Sequence, residues 1–243
     1  MNECLQHDDC LYNIFNQLDI KNLLQCSFVC KQFLIVSQNE LLWKKLYDFN
    51  IPCYQYYYQT FKQLNKLNQF LLRYTHKSLN QSLKKNCINL NYNKIKYIPS
   101  VLGQLQQLQE LHLSHNQLTD ITTLSQLKQL KYLDLSYNQL TDITSLGQCR
   151  QLQVIVLNHN QLTDISALGQ CQQLRYIHLS HNQLTDFSEL GQCQQLRYLH
   201  LSHNQLTDFS ELGQCKKLQY LFLDNQLTDI STLSQCQQLQ IYN

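Results

Sequence analysis

The 243-residue chain has few of the residues that interrupt helices and strands, with five glycines and two prolines. This scarcity excludes collagen-like and proline-rich linker classes. It also has only one tryptophan. Charged residues make up only 15% of the chain, and no apolar run approaches the roughly 18–20 residues that span a bilayer. The first ten residues carry Glu3, Asp8 and Asp9 and lack the basic end and apolar stretch of a secretory signal. We therefore expect a cytoplasmic or nuclear protein.

Leucine and glutamine dominate instead, with 48 and 37 copies. The net charge of +2 is unevenly spread, because residues 1–100 hold 12 Lys/Arg against 6 Asp/Glu and residues 101–243 hold 7 against 11. Such a shift indicates two parts with different roles. The basic residues form no concentrated stripe, so we predict no nucleic-acid partner, and we predict no membrane partner either.

A phrase of about 22 residues recurs through the second half of the chain. Its asparagines are 21 to 23 residues apart and are Asn93, Asn116, Asn138, Asn160, Asn182, Asn204 and Asn225. Around each stands the pattern seen at 108–118, Leu-x-x-Leu-x-Leu-x-x-Asn-x-Leu. This pattern resembles the leucine-rich repeat. Its continuation, Leu-Thr-Asp, is similar to the repeats of bacterial internalins and of protein-phosphatase regulatory subunits.

The spacing inside the phrase predicts its structure. Leu111 and Leu113 alternate with Glu110 and His112, which is the period of a short strand with one buried face. One strand per repeat predicts an α/β repeat solenoid, with parallel strands on its concave face. We expect the asparagines to be buried and to satisfy backbone groups of neighbouring coils. Each Thr-Asp pair should cap a short helical turn on the outer side.

Five of the eleven cysteines follow the repeat. Cys149, Cys171, Cys193, Cys215 and Cys236 share a position that holds leucine in earlier repeats. A position that accepts leucine or cysteine is a buried apolar one, so we predict reduced core thiols rather than disulfides. We predict no metal site, because there is no Cys-x-x-Cys pair and a flat histidine ladder makes a poor tetrahedron.

The N-terminal residues 6–47 have the apolar spacing of three short helices. Residues 11–18, 28–33 and 41–44 resemble the F-box in order and spacing. Gln6-His7 stand where that family commonly has Leu-Pro. The resemblance implies that the helices bind a Skp-type adaptor, which bridges to a cullin. It implicates the following residues in the module's core and adaptor contact: Leu11, Ile14, Phe15, Leu18, Leu23, Val29 and Trp43.

Residues 48–85 combine clustered tyrosines with leucines at helical spacing. We predict a helical connector that caps the open end of the solenoid, with a tyrosine-rich binding site as the alternative. We assign residues 86–243 to about seven repeats, the last strand being abbreviated.

The strand positions that face outward form the predicted target surface. Tyr132, Tyr176, Tyr198 and Tyr220 make a nearly continuous aromatic row, and tyrosine suits protein interfaces because it brings a large area with few rotamers. We expect the residue two places after each of these strands to face outward as well, namely Ser114, Ser136, Asn158, Ser180, Ser202 and Asp224. Candidate target-binding residues are His112, Tyr132, Asp134, Val156, Tyr176, His178, Tyr198, His200, Tyr220 and Phe222.

The chain contains none of the common nucleotide-binding, hydrolase or metalloprotease motifs, so we predict a non-catalytic protein without a cofactor. The F-box resemblance implies a substrate-recognition subunit of an SCF-type cullin ubiquitin ligase. The alternatives are a binding scaffold or regulatory subunit outside any ligase, similar to the phosphatase regulators, and a bacterial effector that imitates an F-box receptor in a host cytosol.

Overall fold

The computed structural model describes residues 66, 69–71, 73, 74, 86–224, 233 and 235–242. Nearly all of them belong to one of the two compact units into which the chain divides, Leu67–Asn243. Before the first strand, residues 69–71 are helical, and the side chain of Leu71 is fully buried. None of the helices in the described residues is long and apolar enough to cross a membrane.

Short parallel strands form one sheet and follow one another in chain order. Eight strands lie in the described residues: β1 Cys87–Asn89, β2 Glu110–His112, β3 Tyr132–Asp134, β4 Val154–Val156, β5 Tyr176–His178, β6 Tyr198–His200, β7 Tyr220–Phe222 and β8 Gln240–Tyr242. The register advances by one repeat per strand, so that Leu111 pairs with Leu133 and Leu133 with Ile155. The predicted repeat solenoid with parallel strands on its concave face is confirmed.

A 3-10 helix follows each of the first six strands. The bounds are Ser100–Gln104, Thr122–Gln126, Thr144–Gln148, Ser166–Gln170, Ser188–Gln192 and Ser210–Gln214. From the second helix onward, an aspartate two residues earlier accepts a hydrogen bond from the first N–H of the helix, as between Thr144 and Asp142 at 2.7 Å. The Thr144 hydroxyl and N–H together lower the pKa of Asp142, because both hydrogen bonds favour its charged form.

The core between strands and helices is built from leucine. Leu111, Leu113 and Leu118 are fully buried, and the corresponding leucines of later repeats are buried as well. The five cysteines that follow the repeat are buried and reduced. Each of these thiols also donates a hydrogen bond to a carbonyl of the preceding coil, as from Cys171 Sγ to Leu146 O at 3.3 Å.

The asparagine ladder joins consecutive coils. The Asn160 side-chain oxygen accepts a hydrogen bond from the N–H of Leu140 at 3.0 Å. Its Nδ2 donates to the carbonyls of Leu135 in the preceding coil and Leu157 in its own coil, both at 3.0 Å. Asn138, Asn182 and Asn204 repeat this pattern. The predicted burial and structural role are therefore confirmed for Asn116, Asn138, Asn160 and Asn182. Asn93 and Asn204 are half-buried, and Asn225 lies outside the described residues.

Four of the six residues predicted to face outward two places after a strand do not face outward. Ser114, Ser136, Asn158 and Ser180 are buried, with exposures of 4–7%, whereas Ser202 and Asp224 are half-buried. The residue after each of the four buried ones has a left-handed backbone, such as His115 with a φ of 53°. This turn folds the chain over the end of the strand. The concave strand face therefore consists of only the first and third residues of each strand.

Candidate functional site

The concave strand face carries all ten residues predicted to bind a target. Each occupies the first or third position of a strand between β2 and β7. Tyr220 is exposed at 41%, and the other nine are half-buried. The strand register thus brings these residues onto one continuous surface, while their role in target binding stays a prediction. The seven residues predicted to bind an adaptor, Leu11 to Trp43, lie outside the described residues.

Aromatic rings cover the C-terminal half of this face. Tyr176 and Tyr198 stack with centroids 4.0 Å apart and planes 8° from parallel. Tyr198 also contacts Phe222 at 5.1 Å, and Phe222 stacks on Tyr242 at 4.6 Å. Burial, followed by a hydrogen bond with Tyr176, raises the pKa of Tyr198. These rings are preorganised by one another, which reduces the entropy lost when a partner covers them.

The aromatic row is interrupted at β4. Val154 lies in register between Tyr132 and Tyr176, and Val156 lies in register between Asp134 and His178. The smaller Val154 therefore leaves a notch between Tyr132 and Tyr176. Tyr132, on the far side of the notch, contacts the His112 ring at 4.8 Å.

A buried acceptor lies at the end of the notch strand. Asn158 stands where neighbouring repeats have serine, and its Oδ1 has no hydrogen-bond partner among the residues that the structure describes. Buried polar atoms are usually paired, because an unpaired one costs about 1–3 kcal/mol. The Asn158 oxygen is buried, so it lies below the concave strand face and not on it.

Two histidines lie next to the tyrosines. His178 and His200 are half-buried on the concave strand face, and the His178 ring nitrogen Nε2 is 2.8 Å from the Ser180 hydroxyl. Burial first, and then the neighbouring histidines His200 and His159, lower the pKa of His178 to about 4. The pKa of His200 is lowered mainly by burial too. Both rings are therefore neutral at pH 7 and extend the apolar character of the face.

Another ring stack runs along the turn that follows the strands. Six rings stack in sequence at centroid distances of 4.1–4.2 Å: Tyr92, His115, Tyr137, His159, His181 and His203. All six residues have a positive φ, which normally favours glycine or asparagine. The repeat spacing predicts a histidine ladder, but the two tyrosines among the six stacked residues were not predicted. Their spacing of 22 to 23 residues is the signal that would have revealed the full stack.

Charge on the solenoid is separated along each coil. All seven Lys and Arg residues of 101–243 lie in the turns between a 3-10 helix and the next strand, and these turns contain no acidic residue between residues 106 and 219. The basic residues are Lys128, Lys131, Arg150, Arg175, Arg197, Lys216 and Lys217. Asp120, Asp142, Asp164, Asp186 and Asp208 instead follow the strands. The basic residues therefore lie just before the strands, and the aspartates lie just before the 3-10 helices.

Comparison with known families agrees with this architecture. The leucine-rich-repeat family matches residues 86–126, 106–148, 150–192 and 194–235, and an F-box-like domain matches residues 8–48. The chain belongs to the leucine-rich-repeat family and carries an F-box-like domain before its repeats. No curated protein matches the chain in a sequence search.

Three solved structures with similar folds come from bacteria. An internalin of Listeria monocytogenes aligns with a TM-score of 0.56 and 25% identity over 68% of this chain, which spans 56% of that protein. A second internalin of the same species has a TM-score of 0.57 and 26% identity over 71% of this chain and 89% of its own. A leucine-rich-repeat protein of Leptospira interrogans has a TM-score of 0.57 and 32% identity, covering 62% of this chain and 41% of its own.

Proposed function

We propose that this protein is the substrate-recognition subunit of an SCF-type cullin ubiquitin ligase. In this role the F-box binds a Skp-type adaptor, and the concave strand face binds the target protein. The observation that carries the proposal is the combination, in one chain, of an F-box-like domain at residues 8–48 with a preorganised aromatic face on a repeat solenoid. F-box domains and leucine-rich repeats are typically non-catalytic interaction modules. Ubiquitin transfer would then be favoured by proximity, because a tethered target has a high effective concentration near the conjugating enzyme.

The adaptor half of the proposal is tested with purified full-length chain and a purified Skp-type adaptor. We expect the wild type to bind at micromolar concentrations, whereas Leu11→Asp and Ile14→Asp abolish binding, because an unpaired charge at an apolar contact costs several kcal/mol. Both variants should keep the melting transition of the repeats. Gln161→Asp, at an exposed position of the solenoid, is the matched control and should bind like wild type.

The target half is tested by comparing proteins captured by wild type and by variants of the concave face. The double variant Tyr176→Ala/Tyr198→Ala should keep its circular dichroism but lose target binding, since interface tyrosines often contribute more than about 1 kcal/mol each. Val154→Tyr should also reduce binding, because it fills the notch with the side chain that neighbouring repeats carry. Tyr97→Ala is the control, because Tyr97 is 76% exposed and lies outside the strands.

One observation favours a second candidate, a binding scaffold outside any ligase. Gln6-His7 replace the Leu-Pro that commonly opens an F-box. If wild type does not bind the adaptor at micromolar concentrations while the face variants still lose their target, the ligase role is wrong and the scaffold role replaces it. If the face variants capture every partner as well as wild type does, target binding through this face is wrong.

A further inference from the structure

Three side chains with different metal-ligating atoms converge on β1 and β2. Cys87 pairs in register with Glu110, and Asn89 pairs with His112. Because side chains alternate along a strand, Cys87, Glu110 and His112 lie on the same face. The Cys87 sulfur, a Glu110 carboxylate oxygen and a His112 ring nitrogen all lie within 4.8 Å of one another. Among the described residues this is the one group of three or more such side chains that comes so close together.

The backbone holds these ligands in place. The N–H of Glu110 donates to the carbonyl of Asn86 at 3.0 Å, and the N–H of Leu90 donates to the carbonyl of His112 at 2.8 Å. These hydrogen bonds fix the two strands on either side of the cluster. Bond lengths of about 2.0–2.3 Å to a tetrahedral zinc ion place its ligand atoms roughly 3.3–3.7 Å apart. Closing the remaining gap of about 1 Å requires side-chain rotation and no change of register.

We propose that Cys87, Glu110 and His112 bind one Zn²⁺ ion, with a water molecule as the fourth ligand. Thiolate, imidazole and carboxylate together match the preferences of zinc, whereas Mg²⁺ and Ca²⁺ select oxygen ligands alone. Cys87 would lose its thiol proton on binding, so zinc affinity should rise with pH. The ion would join the first two strands of the sheet.

The position of the cluster is specific to this end of the solenoid. The position shared by Cys87 and Glu110 holds tyrosine or valine on β3 to β7. His178 and His200 also stack on this face, but they belong to no group of three ligands among the described residues. The sequence argument against a metal site rests on the missing Cys-x-x-Cys pair and on the histidine ladder. It does not consider Cys87, which stands outside the repeating cysteine position.

Zinc binding is measured with the full-length chain, kept reduced, by titration against a chromophoric chelator. The wild type should bind one equivalent of Zn²⁺ more than Cys87→Ser. Because both proteins carry the same other cysteines, zinc bound by those cysteines cancels in this comparison. Glu110→Gln and His112→Gln should each weaken binding of that equivalent at least tenfold. Glu110 is exposed, so its variant tests the site without threatening the fold. His178→Gln is the control and should bind like wild type.

Cobalt provides a readout of the ligands themselves. Co²⁺ in the wild type should give the near-ultraviolet thiolate band and the visible bands of tetrahedral coordination. In Cys87→Ser these bands should be weaker by the absorbance of one bound Co²⁺ ion. Added Zn²⁺ should raise the melting temperature of wild type but not of Cys87→Ser, because a ligand stabilises only the state that binds it. The proposal is overturned if Cys87→Ser retains the wild-type stoichiometry and cobalt spectrum, or if His178→Gln weakens binding as much as His112→Gln.

Discussion

The rings of His178 and His200 lie parallel on the concave strand face, with centroids 4.4 Å apart and planes 8° from each other. Two protonated imidazoles at this distance would repel each other, and burial disfavours either charge. The stack is therefore compatible with neutral rings, and protonation of the rings at low pH should destabilise it.

Stability should consequently fall as the pH is lowered from about 7 toward 4. In the folded chain the pKa of His178 is about 4, whereas an unfolded histidine titrates near 6.5. Between these values the unfolded state binds more protons, so the free energy of unfolding decreases with decreasing pH. The lowered pKa values of His159, His181 and His200 act in the same direction.

Urea denaturation at pH 7 and pH 5 measures this loss, and His178→Gln should show a shallower pH dependence than wild type. Titration of the histidine ring protons by NMR checks the cause. A pKa near 6.5 for His178 in the folded chain would contradict the prediction.

Replacing Asn160 by alanine should lower the free energy of unfolding by about 3 kcal/mol or more. The substitution removes three hydrogen bonds and leaves the Leu140 N–H unpaired, whereas the carbonyls of Leu135 and Leu157 keep the bonds from Asn138 and Asn182. An unpaired buried N–H costs about 1–3 kcal/mol, and each further hydrogen bond that is lost costs about 0.5–1.5 kcal/mol. Chemical denaturation gives the value, and Gln161→Ala, at the adjacent exposed position, should change stability by less than about 0.5 kcal/mol. Similar losses in both variants would refute the structural role of the ladder.

The buried cysteines should react slowly with thiol reagents in the native chain. Burial raises the pKa of Cys149 to about 11 and of Cys171, Cys193 and Cys215 to about 12, and the thiolate is the reactive form. Labelling at pH 8 followed by peptide mass spectrometry should show these four thiols protected until denaturant is added. The half-buried Cys87 serves as an internal comparison in metal-free protein. Stable disulfides among the buried five, in protein isolated without oxidation, would exclude reduced core thiols.

Gly169 should not tolerate a side chain. A Cβ added there would lie 2.9 Å from the backbone carbonyl oxygen of Glu189, which cannot move away easily. We expect Gly169→Ala to destabilise the chain by about 1–3 kcal/mol through overpacking. At the equivalent Gly191 the nearest atom is the end of the flexible Gln214 side chain at 3.3 Å. Gly191→Ala should therefore cost clearly less, and equal melting temperatures for the two variants would disprove the steric explanation.

The sequence predicts the solenoid well because the repeat constrains every coil in the same way. Leu111 and Leu113 could be assigned to the core from alternation alone, and the asparagine spacing sets the register between strands. The burial of the residues that follow the strands was harder to predict. The burial of Ser114 and Ser136 depends on the left-handed turn at the next residue, and no residue type in that turn signals it, since histidine and tyrosine occupy a conformation that usually takes glycine or asparagine.

Contacts between side chains of different coils were predicted only in part. The row of Tyr176 and Tyr198 follows from the repeat. The notch at Val154 could be recognised only from the observed register, which places Val154 beside Tyr176. The thiol hydrogen bonds, such as that from Cys171 to Leu146, depend on a contact between residues 25 positions apart. The convergence of Cys87 with Glu110 and His112 likewise depends on the pairing of the first two strands.

The asparagine bonds also determine how this chain can change its length. Asn182 and Asn204 make the same hydrogen bonds one coil apart. Removing the segment between equivalent positions of two repeats therefore preserves the asparagine hydrogen bonds of the remaining coils. Residues 171–192 and 193–214 differ at a single position, Ile177 against Leu199, as expected from a recent duplication of one complete coil. The stacked pairs Tyr176/Tyr198 and His178/His200 are then copies lying against their originals. By the same rule, an in-frame deletion of residues 193–214 should close the solenoid again one coil shorter.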